Sequence, residues 1–231
     1  MMYVIRRILD FISPRQCAIC GRVLSVSEQS LCSACYMRLP RTGFGASPTV
    51  NEMAQLFWGL LPIERAAALY YYEAGSETAD VVYHLKYHQQ PEAAFDLGCM
   101  MATELQAAGF FDGIDALVAV PLSRRRQWQR GYNQSLLLAE GISEMTKIPV
   151  LKNCVRRRQF RKSQTSLSHF ERLKNVEGLF VLTDAEKLKG KHLLLIDDVC
   201  TTGATLAACG AALCGAEGVT LSMLTLGFSR S

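Results

Sequence analysis

Two periodicities alternate along this chain. Leu193, Leu194, Leu195 and Ile196 follow one another without a polar break, and IDALVAVP over residues 114–121 is nearly as apolar. Runs of this kind belong to strands buried on both faces, the condition of a parallel sheet. PVLKNCV, GLFVL and VTLSMLTL read as further strands, and RAAALYYYEAG is β-prone and ends in a turn. Between them lie segments with a helical repeat. These are ETADVVYHLKYH, then PEAAFDLGCMMATELQAAG opened by Pro91, then a stretch carrying Leu136, Leu137, Leu138 and Ile142, and last the alanine-rich LAACGAALCGA. Strands and helices in alternation predict an α/β fold, a mainly parallel sheet flanked by helices.

The apolar run at 193–196 ends in chemistry. Asp197 and Asp198 follow it, and then a turn of small and hydroxyl residues: Thr201, Thr202, Gly203, Ala204 and Thr205. Ligands of open α/β sheets sit at the carboxyl ends of strands. Backbone N–H groups at such a turn and at the following helix start make a concave anion site, with Gly203 allowing close approach. A phosphate there would repel the two aspartates, so they face something else: the vicinal hydroxyls of a sugar or a hydrated Mg²⁺. A phosphate at one end and a diol at the other describe a ribose 5-phosphate. Neither a Walker-type loop nor a G-x-G-x-x-G after a strand is present.

Nine cysteines among 231 residues add a second theme. Cys17, Cys20, Cys32 and Cys35 form two C-x₂-C knuckles, the four-thiolate set that structural Zn²⁺ prefers. So short a segment has almost no core of its own, and the metal would supply most of its folding free energy. Four thiols filled by zinc leave no open position for catalysis. The module is expected over residues 15–40, followed by a Gly/Ser/Pro-rich linker over 41–60. Residues 1–14, MMYVIRRILDFISP, are too short and too charged for a signal peptide and read as an amphipathic helix packed on the body. No apolar run reaches the ~18 residues of a membrane span, and a cytoplasmic protein is expected.

Charge is concentrated. The net charge is +4, but between Leu122 and Asn175 stand 13 Lys or Arg against 3 acidic residues, so the remainder is net acidic. This implies an anionic ligand larger than one phosphate. Within the region, LSRRRQWQRGYNQS reads as a basic, glycine-containing loop between a strand and a helix, and RRRQFRKSQTSLSHFERLKNVEG as a long loop with few apolar anchors. A loop of that length inside a compact domain is usually functional or disordered.

LLLIDDVCTTGAT resembles the phosphoribosyl pyrophosphate (PRPP) loop of type I phosphoribosyltransferases. The resemblance implies that fold over residues 61–231, with Asp197 and Asp198 on the ribose hydroxyls and the turn from Thr201 to Thr205 around the 5′-phosphate of Mg²⁺-bound PRPP. It implies a pyrophosphate loop carrying Arg124, Arg125, Arg126, Arg130, Gly131, Asn133 and Gln134, with Lys86 either reaching the phosphates or simply solvated. It also implies a flexible catalytic loop carrying Gln164, Thr165, Arg172 and Asn175 that closes over PRPP and excludes water. No residue stands out as a general base.

With the four-cysteine knuckle, VPLSRRRQWQRGYNQS and Q-T-x-L…R-x-x-N-V added, the whole chain resembles the ComF/GntX family, departing from its pattern at Cys200. That family is associated with competence and with use of external DNA as a nutrient. The resemblance therefore implies ribosyl transfer to a nitrogenous base with release of pyrophosphate. A second reading keeps the PRPP-binding scaffold without catalysis. In it the basic region, interleaved with Trp128, Tyr132 and Phe160, binds single-stranded DNA alongside DNA-uptake proteins.

Overall fold

The computed structural model describes residues 15–87, 91–158 and 178–230. The helix expected over 1–14 and the loop residues Gln164, Thr165, Arg172 and Asn175, with Phe160, lie outside these. The described chain begins in the four-cysteine segment with a short helix α1 (Ser33–Arg38), followed by a helical turn α2 (Glu52–Gln55). Strand β1 (Ile63–Tyr71) leads to helices α3 (Glu77–Tyr87) and α4 (Pro91–Gln106). Strand β2 (Ala116–Ala119), helices α5 (Arg124–Arg130) and α6 (Gln134–Thr146) and strand β3 (Val155–Arg157) come next. Beyond residue 177 the chain runs through β4 (Phe180–Leu182), β5 (His192–Cys200), α7 (Ala204–Leu213) and β6 (Thr220–Phe228).

Four strands form one sheet in the order β1-β6-β5-β2, every neighbouring pair parallel. The uninterrupted apolar runs have their expected cause: Leu193 through Ile196 are fully buried, flanked by strands on both sides and helices above and below. β3 and β4 pair antiparallel in a separate ribbon that packs against α7. Among the described residues no helix is long and apolar enough to cross a membrane.

Helices α4 and α6 pack on each other so closely that their backbones touch. A Cβ at Gly98 would run into the Leu138 carbonyl, and one at Gly141 into the carbonyl of Phe95. Two glycines on facing surfaces permit that approach, and α6 in turn lies on β2 and β5. The start of α6 is thereby held over the carboxyl end of β5.

Two stretches take up more structure than their composition announces. The segment read as a linker contains a 3₁₀ turn at Phe44–Ala46 as well as α2. Asn51 caps α2 by accepting the Ala54 N–H, and Met53, Ala54 and Phe57 are buried. The basic stretch after β2 is not an open loop but the helix α5. Ser123 accepts the Arg126 N–H at its start, and Gly131 ends it in the left-handed region at φ 79°.

Candidate functional site

The cysteine cluster is built locally. Gly21, at φ 69°, closes a tight turn in which its N–H donates to the Cys17 carbonyl at 2.9 Å. Cys32 begins α1 as its N-cap, and its N–H donates to the Cys17 Sγ at 3.3 Å. All four Sγ atoms lie within 4.8 Å of one another, with Cys20 and Cys32 at 3.8 Å. Tetrahedral Zn–S bonds of ~2.3 Å would set sulfurs ~3.8 Å apart, so the donor set fits a metal ion such as zinc. Burial works to raise the Cys17 thiol, but N–H groups of Cys20, Cys32 and Ile19 outweigh it and bring it down to about 7. Such donors stabilise thiolate, the form that ligates metal.

This module is bonded to the sheet domain through side chains. Glu104 of α4 accepts from Tyr36 at 2.7 Å, from Arg41 at 3.0 and 3.2 Å, and from Tyr70 at 3.3 Å. Ser30 donates to Asp96 at 3.2 Å. Arg38 spans from the Cys35 Sγ (3.4 Å) to Glu77 (2.8 Å), the first residue of α3.

The second site lies at the carboxyl end of β5. The strand carries Asp197 and Asp198 to its rim, and the pleat sends successive side chains in different directions. Asp197 is buried and accepts from Ser135 Oγ of α6 at 2.8 Å and from the Asp198 N–H at 2.9 Å. Asp198 accepts the Val199 N–H at 2.7 Å and pairs with Lys86 of α3 at 3.1 Å. Burial, with the neighbouring Asp198 charge, pushes the Asp197 carboxyl up to about 7, against the pull of Ser135, the Asp198 N–H and Lys86. A buried carboxyl this close to neutrality takes a proton or accepts bonds from a ligand with little penalty.

Beyond the aspartates, residues 199–206 alone line a hollow of about 30 Å³. Gly203 turns the chain at φ 73° to start α7, and a Cβ there would stand 3.1 Å from the Phe57 ring, so the buried α2 segment backs the turn. Thr201 and Thr202 are exposed, while Ala204 and Thr205 lie at the start of a ten-residue helix with free N–H groups. The hollow opens beside a cleft of about 200 Å³ whose wall includes Lys86, Arg126, Arg130, Arg157, Asp197, Asp198, Thr201 and Thr205.

Several residues singled out in the sequence thus meet in one place. Lys86 arrives from 112 residues away and pairs directly with Asp198. Arg126 and Arg130 line the cleft, whereas Arg124 and Arg125 are exposed on α5 and do not. Gly131 ends α5; Asn133 caps α6 and donates to the Val120 carbonyl at 3.1 Å. Gln134 is buried and accepts from Arg130 at 2.8 Å. Tyr132, one of the aromatic residues considered for DNA, donates its hydroxyl to the Leu85 carbonyl at 2.8 Å instead. The sequence reading missed Ser135, Arg157 and Tyr72, which also lines the cleft. Only the position of Ser135 at a helix start, beside the quoted Asn-Gln, carried any signal for it.

Comparison with known proteins finds relatives of this chain. No family model matches the chain. It is 28% identical over 204 residues to the DNA utilization protein YhgH of Escherichia coli K12, covering 84% of this chain and 88% of that one. Competence protein F of Haemophilus influenzae is 40% identical over 93 residues, covering 40% of this chain and 41% of that one. The competence protein ComFC of Bacillus subtilis is 39% identical over 90 residues, covering 39% and 34%. These relatives support the resemblance to the ComF/GntX family. The cysteine cluster and the acidic cleft are joined through α3, with Glu77 at one end bonded to Arg38 of the four-cysteine segment and Lys86 at the other paired with Asp198.

Proposed function

We propose that the cleft binds Mg²⁺-PRPP and that the protein acts in DNA uptake or utilisation as a phosphoribosyltransferase. It would transfer ribose 5-phosphate to a nitrogenous base and release pyrophosphate. The observation that carries the reading is the ordered set at the end of β5: an acidic pair, with Asp197 buried and Asp198 half-buried, followed directly by a hollow lined by residues 199–206. The diol would donate to Asp197 and Asp198, and the 5′-phosphate would accept from N–H groups of residues 201–205. Lys86 and Arg130 would carry the departing diphosphate. Bound Mg²⁺ would neutralise part of the diphosphate charge. As the glycosidic bond breaks, positive charge grows on the ribosyl ring, and the carboxylates lie on the side where they stabilise it. The names of the relatives support the DNA role. The four cysteines would hold one structural zinc over residues 15–40, attached to a catalytic domain over 61–231 in the cytoplasm.

A non-catalytic reading also has an observation in its favour. Trp128 is 87% exposed on α5, and Tyr83 and Tyr87 stack at 4.8 Å on α3 with the Arg130 guanidinium 5.8 Å from the Tyr87 ring. Exposed aromatics among arginines suit single-stranded DNA. Calorimetric titration of Mg²⁺-PRPP into wild type and the Asp197→Asn/Asp198→Asn variant tests the first reading. Binding is expected only in the wild type. Saturable, steeply salt-dependent DNA binding with no PRPP affinity would favour the second.

A further inference from the structure

The two carboxylates at the end of β5 are held in different ways. Asp198 Oδ1 accepts the Val199 N–H at 2.7 Å, and its Oδ2 pairs with Lys86 at 3.1 Å. Asp197 Oδ1 takes both of that residue's donors, Ser135 Oγ at 2.8 Å and the Asp198 N–H at 2.9 Å. No described residue donates to Asp197 Oδ2, and Asp197 lines the cleft. Ser135 comes from the first turn of α6, where the Asn133 cap accepts its N–H at 3.2 Å. Its backbone is thereby satisfied, and the hydroxyl is turned to the carboxylate. Ser135 is 1% exposed and Asp197 9%, so their bond to a chargeable group is made where losing it is costly. The charged and titratable groups facing Asp197 are Asp198 and Cys200 of its own strand, Lys86 of α3, Arg157 of β3 and Cys209 of α7. Among the described residues Ser135 supplies its side-chain hydrogen bond, and none of those groups does.

We propose that Ser135 is a positioning residue, which pins Asp197 through Oδ1 so that Oδ2 faces the cleft as the oxygen a ligand hydroxyl meets. That the hydroxyl belongs to a ribose rests on the PRPP reading above; the pinning rests on the two bonds to Oδ1. The terminal torsion of an aspartate is broad and two-fold, so without the serine either oxygen could turn to the ligand. Asp198, by contrast, meets a ligand with Oδ2 only after Lys86 has moved away. The pinning also decides where a proton goes. With Oδ1 accepting twice, a proton on Asp197 sits on Oδ2, and it competes there with the ligand hydroxyl. A hydroxyl that donates to a carboxylate favours the ionised form, so Ser135 would keep Oδ2 an acceptor down to lower pH.

The test uses the full chain as wild type, Ser135→Ala and Ser135→Thr. Mg²⁺-PRPP, ribose 5-phosphate and inorganic phosphate are each titrated calorimetrically, and the aspartate carboxyl carbons are followed by NMR against pH, with Asp197→Asn to assign the resonance. Ser135→Ala is expected to weaken PRPP and ribose 5-phosphate about 10-fold at neutral pH. Inorganic phosphate, which brings no sugar hydroxyl, should change less than about twofold. The Asp197 carboxyl should titrate about one pH unit higher in Ser135→Ala, and Ser135→Thr, which keeps the hydroxyl, should restore most of both effects. An unchanged Asp197 titration in Ser135→Ala would overturn the pinning. So would an equal loss of all three ligands, which is what a serine that only fastens α6 to β5 would give. A wild type that binds neither PRPP nor ribose 5-phosphate would sink the PRPP reading, and the carboxyl titration would still decide the role of Ser135.

Discussion

The cysteine cluster and the acidic cleft are both places where the chain gathers groups that repel one another when ionised, and they solve that problem differently. The four thiols come from 19 consecutive residues, and Arg38 approaches the Cys35 sulfur at 3.4 Å. The donor set fits a metal ion such as zinc, which would supply their balance. The two carboxylates are adjacent in sequence, but their partners come from far away: Ser135 from α6, Lys86 from α3, with Arg157 nearby from β3. The cleft therefore exists only when the whole α/β domain has folded. A local cluster of this kind would depend on a ligand to fold; a cleft assembled from distant elements depends on the fold to bind a ligand.

Breaking each side should give unequal effects. Metal removal is the largest. Site binding in such modules is worth on the order of 10 kcal/mol, so a strong chelator or Cys17→Ser should release one metal equivalent per chain and lower the melting temperature sharply, read by elemental analysis and calorimetry. Next come the helix-packing glycines. Gly98→Ala or Gly141→Ala forces a methyl into backbone and should cost about 3 kcal/mol in urea unfolding. Because α6 carries Ser135, the same variants should weaken ligand binding although neither residue lines the cleft. Glu104→Gln should cost about 1–2 kcal/mol, since it strips the charge from an acceptor shared by Tyr36, Tyr70 and Arg41. Differential scanning calorimetry should then show the metal module melting ahead of the sheet domain.

The smallest effect is in pH. Burial raises the Asp197 carboxyl to about 7 in the folded chain, above the ~3.9 of an exposed aspartate. The native state thus holds more protons than the unfolded one between these values, and Asp197 should make stability fall as pH rises from about 4 to about 7, then level off. Ligand hydroxyls bond best to the ionised form, so affinity for PRPP should improve several-fold from pH 6 to pH 8. Affinity that is flat with pH would mean that Asp198 alone meets the diol.

Legibility follows the same divide. The cysteine knuckles, the acidic pair and the hydroxyl turn are short, continuous stretches whose chemistry is written in neighbouring residues. So are the β5 and β2 runs, because a strand buried on both faces has no polar alternation to obscure it. The parallel order β1-β6-β5-β2 was not legible, since strand pairing depends on contacts distant in sequence. Nor was α5: a run of arginines around Gly131 looks like a basic loop until the Ser123 cap is seen to start a helix. The segment 41–60 looks like a linker by composition, yet Met53 and Phe57 anchor it under the Gly203 turn. Arg157 was hidden among identical neighbours, and only the pleat separates it from Arg156 and Arg158.

The most direct test of the cleft is a phosphorus NMR titration of PRPP, in excess Mg²⁺, with wild type and with Asp197→Asn/Asp198→Asn. PRPP carries three phosphorus nuclei, one on the 5′-phosphate and two on the diphosphate, so each anionic end reports separately. All three resonances are expected to move or broaden saturably with the wild type, and to stay at their free positions with the variant. Free positions for all three with the wild type at millimolar PRPP would contradict the assignment of this cleft to a phosphoribosyl ligand.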